Sequence, residues 1–282
     1  MPTRPGPTVQ RRRLGIELRH LREAAGRTID EVARVLECSD SKVSRIENGQ
    51  VSASPRDVRD MLELYGVSPE RREELVQFAR TARKRGWWEA YSETDAVPLV
   101  GLEVAAQHIL AYEPAVVHGL LQTEAYARAL IRAHRPDISA EQIQRRVEFR
   151  MARQDIFTTD TPPKLEILLE ECAVRRPVGG LKTMREQLQH LLEAMALPTV
   201  TLRVLPLSVG EHAGMSGAFT VYRFAERTDP DVVYLEHTAS DLYVESPDQV
   251  ERYNSAFARL RTAALDLGGS ASFLEDLAEQ SV

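Results

Sequence analysis

Apolar positions in the first third of the chain recur at helical spacing in short, separately punctuated runs. Leu14, Leu18, Leu21 and Ala25 form one stripe, which ends at Gly26. Ile29, Val32, Ala33 and Leu36 follow at i, i+3, i+4 and i+7, behind Thr28 with Glu31 three residues on, the pattern of a capping box. After Glu37-Cys38, Ser39 is an N-cap for a helix that turns only Val43 and Ile46 inward. Asp40, Ser41, Lys42, Ser44 and Arg45 are left outside, and Gly49 supplies the C-terminal stop. Ser54-Pro55 and Ser68-Pro69 each combine an N-cap with proline at the first helical position. They open two more helices with inner faces Val58, Met61, Leu62, Tyr65 and Leu75, Phe78, Ala79, Ala82. Five short helices, each with one apolar face, close a small core.

Past Pro98 the pattern predicts helices over Leu102 to Tyr112, Thr123 to His134 and Ser139 to Phe157. Then the period shortens to two. Leu165, Ile167, Leu169 and Val200, Leu202, Val204 alternate, with a helix from Leu181 to Met195 between them. Ala218 to Phe224, Val232 to Glu236 and Leu242 to Glu245 are β-branched or aromatic runs separated by short connections, which predicts antiparallel pairing. Ser246-Pro247-Asp248-Gln249 opens a long helix with the stripe Tyr253, Phe257, Leu260, Ala264. Gly268-Gly269 are expected to stop it before a short helix with Phe273, Leu274 and Leu277. The expected fold is a mainly α N-terminal five-helix domain followed by an α+β domain with a mostly antiparallel sheet. Its expected divisions are a flexible arm (1–12), a helical domain (13–85), a linker (86–98) and the α+β domain (99–282). Trp87 and Trp88 in the linker are too large and apolar for a free connection and are expected to pin it to one domain or the other.

Composition adds constraints. A chain of 282 residues with 43% hydrophobic and 28% charged residues has material for one large or two ordinary cores and none of the signature of bulk disorder. Cys38 and Cys172 are too few for a disulfide framework and fit a reducing compartment. The N-terminus lacks an apolar signal core and no run approaches 18 apolar residues, so the expected location is cytoplasmic. The net charge of −6 is unevenly spread: residues 1–90 hold 18 Lys and Arg against 14 Asp and Glu, the remainder 18 against 28. The basic part is the helical part, which supports an anionic partner there. The arm from Thr3 to Arg13, with Arg11-Arg12-Arg13, is either a disordered leader or a segment that lies against phosphates or in a minor groove. The bases at 83–85 similarly either touch DNA or close a helix.

Catalytic patterns fail on inspection. Gly214-Met215-Ser216-Gly217-Ala218 approaches a nucleophile elbow, but its last glycine is replaced and the serine precedes a strand where the elbow requires a helix. Gly210, Gly214 and Gly217 are followed by no Lys-Ser/Thr pair of a phosphate-binding loop. His118, His212 and His237 lack metal-ligand spacing, and Glu170-Glu171 on a strand face opposite ways. The expectation is therefore a non-enzyme with no cofactor and no metal. Arg145, Arg146, Arg150 and Arg153 make a charged helix face, either anion-binding or self-paired with Glu141, Glu148 and Asp155. Tyr222, Phe224, Tyr234 and Tyr243 are either sheet core or the lining of a pocket, with the loop 206–217 as a mobile element over it.

Thr28 to Gly49 thus reads as a helix-turn-helix, and S-D-S-K-V-S-R-I-E-N-G (39–49) in this setting resembles the phage-repressor/Cro-like, or xenobiotic-response-element type, helix-turn-helix regulators. Two departures are Ile29, where many members carry a phosphate-contacting Gln, and Glu37, where the turn usually has Gly. Y-E-P-A-V-V-H-G-L-L-Q-T-E-A-Y-A-R (112–128), L-E-E-C-A-V-R-R-P-V-G-G (169–180), H-A-G-M-S-G-A-F (212–219) and Y-N-S-A-F-A-R-L-R-T-A-A-L (253–265) resemble a C-terminal domain of unknown function. That domain occurs in an actinobacterial class of such regulators, described as antitoxin-like. A single unit of this size reads few base pairs, so the expectation is a homodimer on double-stranded DNA with a pseudo-palindromic operator, nucleoid-associated when bound. The resemblance implies a small protein partner encoded by an adjacent gene or a small-molecule effector. An alternative it carries is an antitoxin-like module that neutralises that small protein and autoregulates its operon. Ser41, Lys42, Ser44 and Arg45 are the candidate DNA contacts, Arg45 having the guanidinium suited to guanine O6/N7 or a phosphate. Asp40 suits cytosine N4 or the helix dipole, while Ser39 and Thr28 suit phosphates beside their capping duty.

Overall fold

Short helices with strong caps build the N-terminal unit, Met1–Ala105. In the computed structural model the described residues are 7–49, 51–82, 87–91, 97–225, 230–236 and 241–280. Residues 1–6, the basic stretch 83–85, the polar part of the linker at 92–96 and His237 lie outside them. The unit contains α1 (Pro7–Ala24), α2 (Ile29–Val35), α3 (Asp40–Glu47), α4 (Pro55–Leu64), α5 (Pro69–Ala82), a 3-10 turn over Trp87–Tyr91, and α6 (Val97–Ala105). Leu14, Leu18, Val32, Val43, Ile46, Val58, Met61, Leu62 and Val76 form its core. Ser54 accepts from the Asp57 N–H at 3.0 Å, with Pro55 at the first helical position.

Two sequence expectations change here. Of the stretch read as an arm, the described part from Pro7 on is helix, which moves the boundary from 12 to before Pro7: proline is tolerated in a first turn, and Arg11-Arg12-Arg13 are good helix formers. The two tryptophans also part company, Trp88 being buried and Trp87 exposed. Beyond them α6 packs on α1 with Leu99, Val100 and Leu102 buried, so this unit has a sixth helix.

The second unit, Ala106–Val282, is a six-stranded mixed sheet flanked by helices. It runs β1 (His108–Glu113), a 3-10 turn at Gly119–Leu121, α7 (Glu124–His134), α8 (Ala140–Arg153), β2 (Lys164–Glu170), α9 (Glu171–Arg175), α10 (Leu181–Met195) and β3 (Val200–Leu205). There follow β4 (Phe219–Arg223), β5 (Val232–Leu235), β6 (Leu242–Val244), α11 (Pro247–Ala263) and α12 (Leu267–Gln280). The order across the sheet is β3-β2-β1-β4-β5-β6. β1, β2 and β3 are parallel because helical crossovers join them, whereas β1–β4, β4–β5 and β5–β6 are antiparallel. Most pairings are antiparallel, as expected.

β1 overturns the helix read over Leu102 to Tyr112. Ile109, Leu110, Ala111 and Tyr112 are all buried because the strand is central and covered on both faces, so it shows no alternation. Leu110, Tyr112, Leu168, Phe219, Val221 and Val233 pack with Val250, Phe257 and Leu260 of α11. Gly268-Gly269 do not stop that helix. They lie in the first turn of α12, where Asp266 Oδ1 accepts from the Gly269 N–H at 2.7 Å. Ser246 likewise precedes Pro247 without the side-chain cap bond its pattern suggests. Gln187, fully buried, accepts from the Thr123 N–H at 2.8 Å and donates to the Leu121 carbonyl at 2.6 Å, tying α10 to the start of α7. The loop 206–217, expected to be mobile, is clipped: Glu171 accepts from the Leu207 N–H at 2.9 Å. Beside it, Glu170 accepts from the Tyr112 hydroxyl at 3.0 Å and lies 3.6 Å from His212 Nε2.

Candidate nucleic-acid interface

The turn between α2 and α3 is tight because Leu36 and Cys38 fold back on α2, the Cys38 N–H donating to the Ala33 carbonyl at 2.9 Å. Glu37 takes φ +50°, the only non-glycine among the described residues with a positive φ. A left-handed backbone costs an L-residue roughly 1–2 kcal/mol, against about 0.5–1 for the extra chain entropy of glycine. Glu37→Gly is therefore expected to stabilise the unit by about 0.5–1 kcal/mol, read as a higher urea midpoint at unchanged slope.

α2 starts from the full capping box. The Glu31 N–H donates to Thr28 Oγ1 at 3.2 Å and the Thr28 N–H returns to Glu31 Oε2 at 2.9 Å, which lowers the Glu31 pKa. α3 starts from Ser39, whose Oγ accepts from the Lys42 N–H at 3.3 Å. Thr28, Ser39, Asp40, Ser41 and Arg45 are exposed, and Arg45 Nε donates to the Ser41 carbonyl at 3.3 Å. Lys42 and Ser44 differ from the expectation of a fully outward face. Lys42 is partly buried and its Nζ pairs with Asp57 Oδ2 of α4 at 3.2 Å, while Ser44 is partly buried under Asn48, whose Nδ2 donates to its Oγ at 3.4 Å. Asn48, exposed at the end of the same helix, is a polar group that the sequence reading passed over.

What holds this face rigid is on α1. Gly15 lies where a Cβ would sit 2.5 Å from the Glu47 carbonyl oxygen and 2.6 Å from that of Ile46, so α1 and α3 cross backbone to backbone. Seven residues on, Arg22 forks onto Glu47 of α3, Nε–Oε1 2.7 Å and Nη2–Oε2 3.0 Å, and its Nη1 donates to the Arg27 carbonyl at 2.9 Å. Both side chains are buried. The hydrogen bond to Glu47 raises the Arg22 pKa further, and burial, then the Glu47 charge, raises that of the neighbouring Tyr65 hydroxyl. The sequence carried a signal for this pair: Arg22 stands four residues after Leu18 and beside Leu21, and Glu47 four after Val43 and beside Ile46. Each is a charge on an apolar stripe.

Residues 97–276 match the family whose shared region is the domain of unknown function DUF5753. The chain belongs to that family. Its residues 13–75 match the helix-turn-helix domain family. No curated protein and no solved structure matches. The DUF5753 match opens at α6, the helix that packs on α1, so this family region begins inside the N-terminal packing unit. The helix-turn-helix match supports DNA binding and transcription regulation as the activity of this DUF5753 protein. Among the described residues no helix is long and apolar enough to cross a membrane, and no three or more His, Cys, Asp or Glu are grouped to hold a metal ion.

Proposed function

We propose that the chain is a sequence-specific, cytoplasmic DNA-binding regulator that works as a homodimer and enters the major groove with the N-terminal half of α3. The observation that carries this reading is the exposed Ser41–Arg45 edge on a helix fixed by a buried charge pair and a glycine crossing. Arg45 reads a base or grips a phosphate, Ser41 and Asp40 face base edges, and Thr28 and Ser39 approach phosphates from two helix N-termini. Ser44 and Lys42 lie one layer further in. A single unit of this size reads few base pairs, so two half-sites about one helical turn apart supply the affinity and discrimination. In this reading the DUF5753 half is a non-catalytic regulatory domain that takes a partner protein or small effector.

The test is capture of genomic fragments by the purified full chain at several salt concentrations, with Arg45→Ala in parallel. The expected result is a recurrent inverted repeat, bound about 1–3 kcal/mol more weakly by the variant. Capture without sequence preference, unchanged by Arg45→Ala in a protein of intact circular dichroism, would remove sequence-specific recognition by α3.

A further inference from the structure

Lys42 and Asp57 stand at equivalent places on two helices. Each is the third residue of its helix, with its own N–H capped by a serine, Ser39 for α3 and Ser54 for α4. A cation at the start of a helix opposes the helix dipole, while an anion there is favoured by it. The 3.2 Å pair across the two helices answers that imbalance. The carboxylate shields the Lys42 ammonium from the dipole of α3, and both side chains are partly buried, so salt screens the pair less than it screens a surface pair.

We propose that Asp57 is a specificity-determining residue, which withholds Lys42 from DNA phosphates and so suppresses sequence-independent binding. This rests on the DNA-binding reading above. Lysine binds phosphate as a point charge and reads no sequence, so a free Lys42 at the edge of the reading helix adds affinity for every duplex alike. Held by Asp57, it adds little to any of them. Ser41 and Arg45, which have no carboxylate partner among the described contacts, are left to decide which duplex is bound.

The experiment measures binding of a random-sequence duplex by the full chain against salt, for wild type, Asp57→Asn, Lys42→Met and the double variant, with thermal unfolding of each. Asp57→Asn is expected to bind about three- to tenfold more tightly at low salt, with a log–log salt slope steeper by about one phosphate contact. Lys42→Met alone is expected to keep the wild-type slope, and the double variant to return to it. A slope unchanged in Asp57→Asn overturns the proposal, as does a Lys42→Met slope shallower by about one, which would place Lys42 on phosphate already. A steeper slope that persists in the double variant also overturns it, since the effect is then repulsion by the Asp57 carboxylate alone. Wild type that binds no duplex even at low salt brings down the DNA-binding reading and this proposal with it, whereas the three earlier outcomes leave that reading standing.

Discussion

Glu47→Ala is expected to lower the stability of the N-terminal unit by about 3–5 kcal/mol, a large share of what a small domain has. The loss does not measure the worth of the ion pair. It measures the Arg22 guanidinium left buried without its forked carboxylate, with the Arg27 carbonyl and, at 3.6 Å, the exposed Glu23 carboxylate as its partners. The double variant Arg22→Met/Glu47→Leu fills the same space without charges and is expected to recover most of the loss or all of it. Both tryptophans of the chain lie at 87 and 88, inside this unit, so tryptophan fluorescence during urea unfolding reports it apart from the C-terminal half. DNA affinity is expected to vanish in the single variant and to return in the double one, because the Gly15 crossing and the apolar contacts of Val43 and Ile46 still place α3. A single variant within 1 kcal/mol of wild type would mean that Glu23 and the Arg27 carbonyl suffice for the guanidinium once Glu47 is gone, and that the buried fork contributes little.

Helix boundaries in the N-terminal half were legible because their determinants are local. Thr28, Ser39 and Ser54 lie within three residues of the N–H groups they accept from, and a sequence window contains the whole interaction. The partner of Arg22 lies 25 residues away and that of Lys42 lies 15 away, and no local pattern joins them. The candidate DNA residues were legible as types, but the division between exposed Ser41 and Arg45 and committed Lys42 was not, since it depends on where α4 delivers Asp57. In the sheet, strands with one wetter face announced themselves by alternation. β1 did not: central and covered on both sides, it reads as a short apolar run that periodicity cannot tell from a buried helix. With β1 missed, the parallel pairing β1–β2 and the antiparallel pairing β1–β4 at the centre of the sheet were out of reach as well. The Gly268-Gly269 pair misled for a different reason: Asp266 caps a helix start there, and that context outweighs the low helix propensity of two glycines.

The C-terminal unit is expected to be most stable on a plateau between about pH 4.5 and 6.5 and to lose stability on both sides, because two enclosed groups titrate against one another. Burial pushes the Glu113 carboxyl up to about 8, the Glu236 charge adding to the shift and Arg150 opposing it. Glu113 as a residue keeps some solvent contact, but its carboxyl is surrounded, and the carboxyl is what titrates. Burial pushes His118 down to about 3, and Arg153 and Arg150 act in the same direction. Unfolded, the two groups return to about 4.5 and 6.5. From pH 3 to 6.5 the unfolded chain therefore binds a proton at His118 that the folded chain refuses, so stability rises with pH by up to about 1.4 kcal/mol per unit. From pH 4.5 to 8 the folded chain keeps a proton on Glu113 that the unfolded chain releases, so stability falls with pH by as much. For these two groups the slopes cancel where the windows overlap; on the acid side the His118 loss remains, and Glu171 and Asp137, whose carboxyls are held low by the Leu207 N–H and by Arg135, add to it, while above 6.5 the Glu113 loss remains. Calorimetry of the full chain should show the C-terminal transition, the one not followed by tryptophan fluorescence, weakening by about 2 kcal/mol between pH 6.5 and 8. Glu113→Gln replaces the neutral acid by a neutral isostere, so it should leave stability at pH 5 nearly unchanged and abolish the alkaline loss. A wild-type profile that stays level to pH 8, or an alkaline loss that survives Glu113→Gln, would show that Glu113 ionises in the folded chain as readily as in the unfolded one.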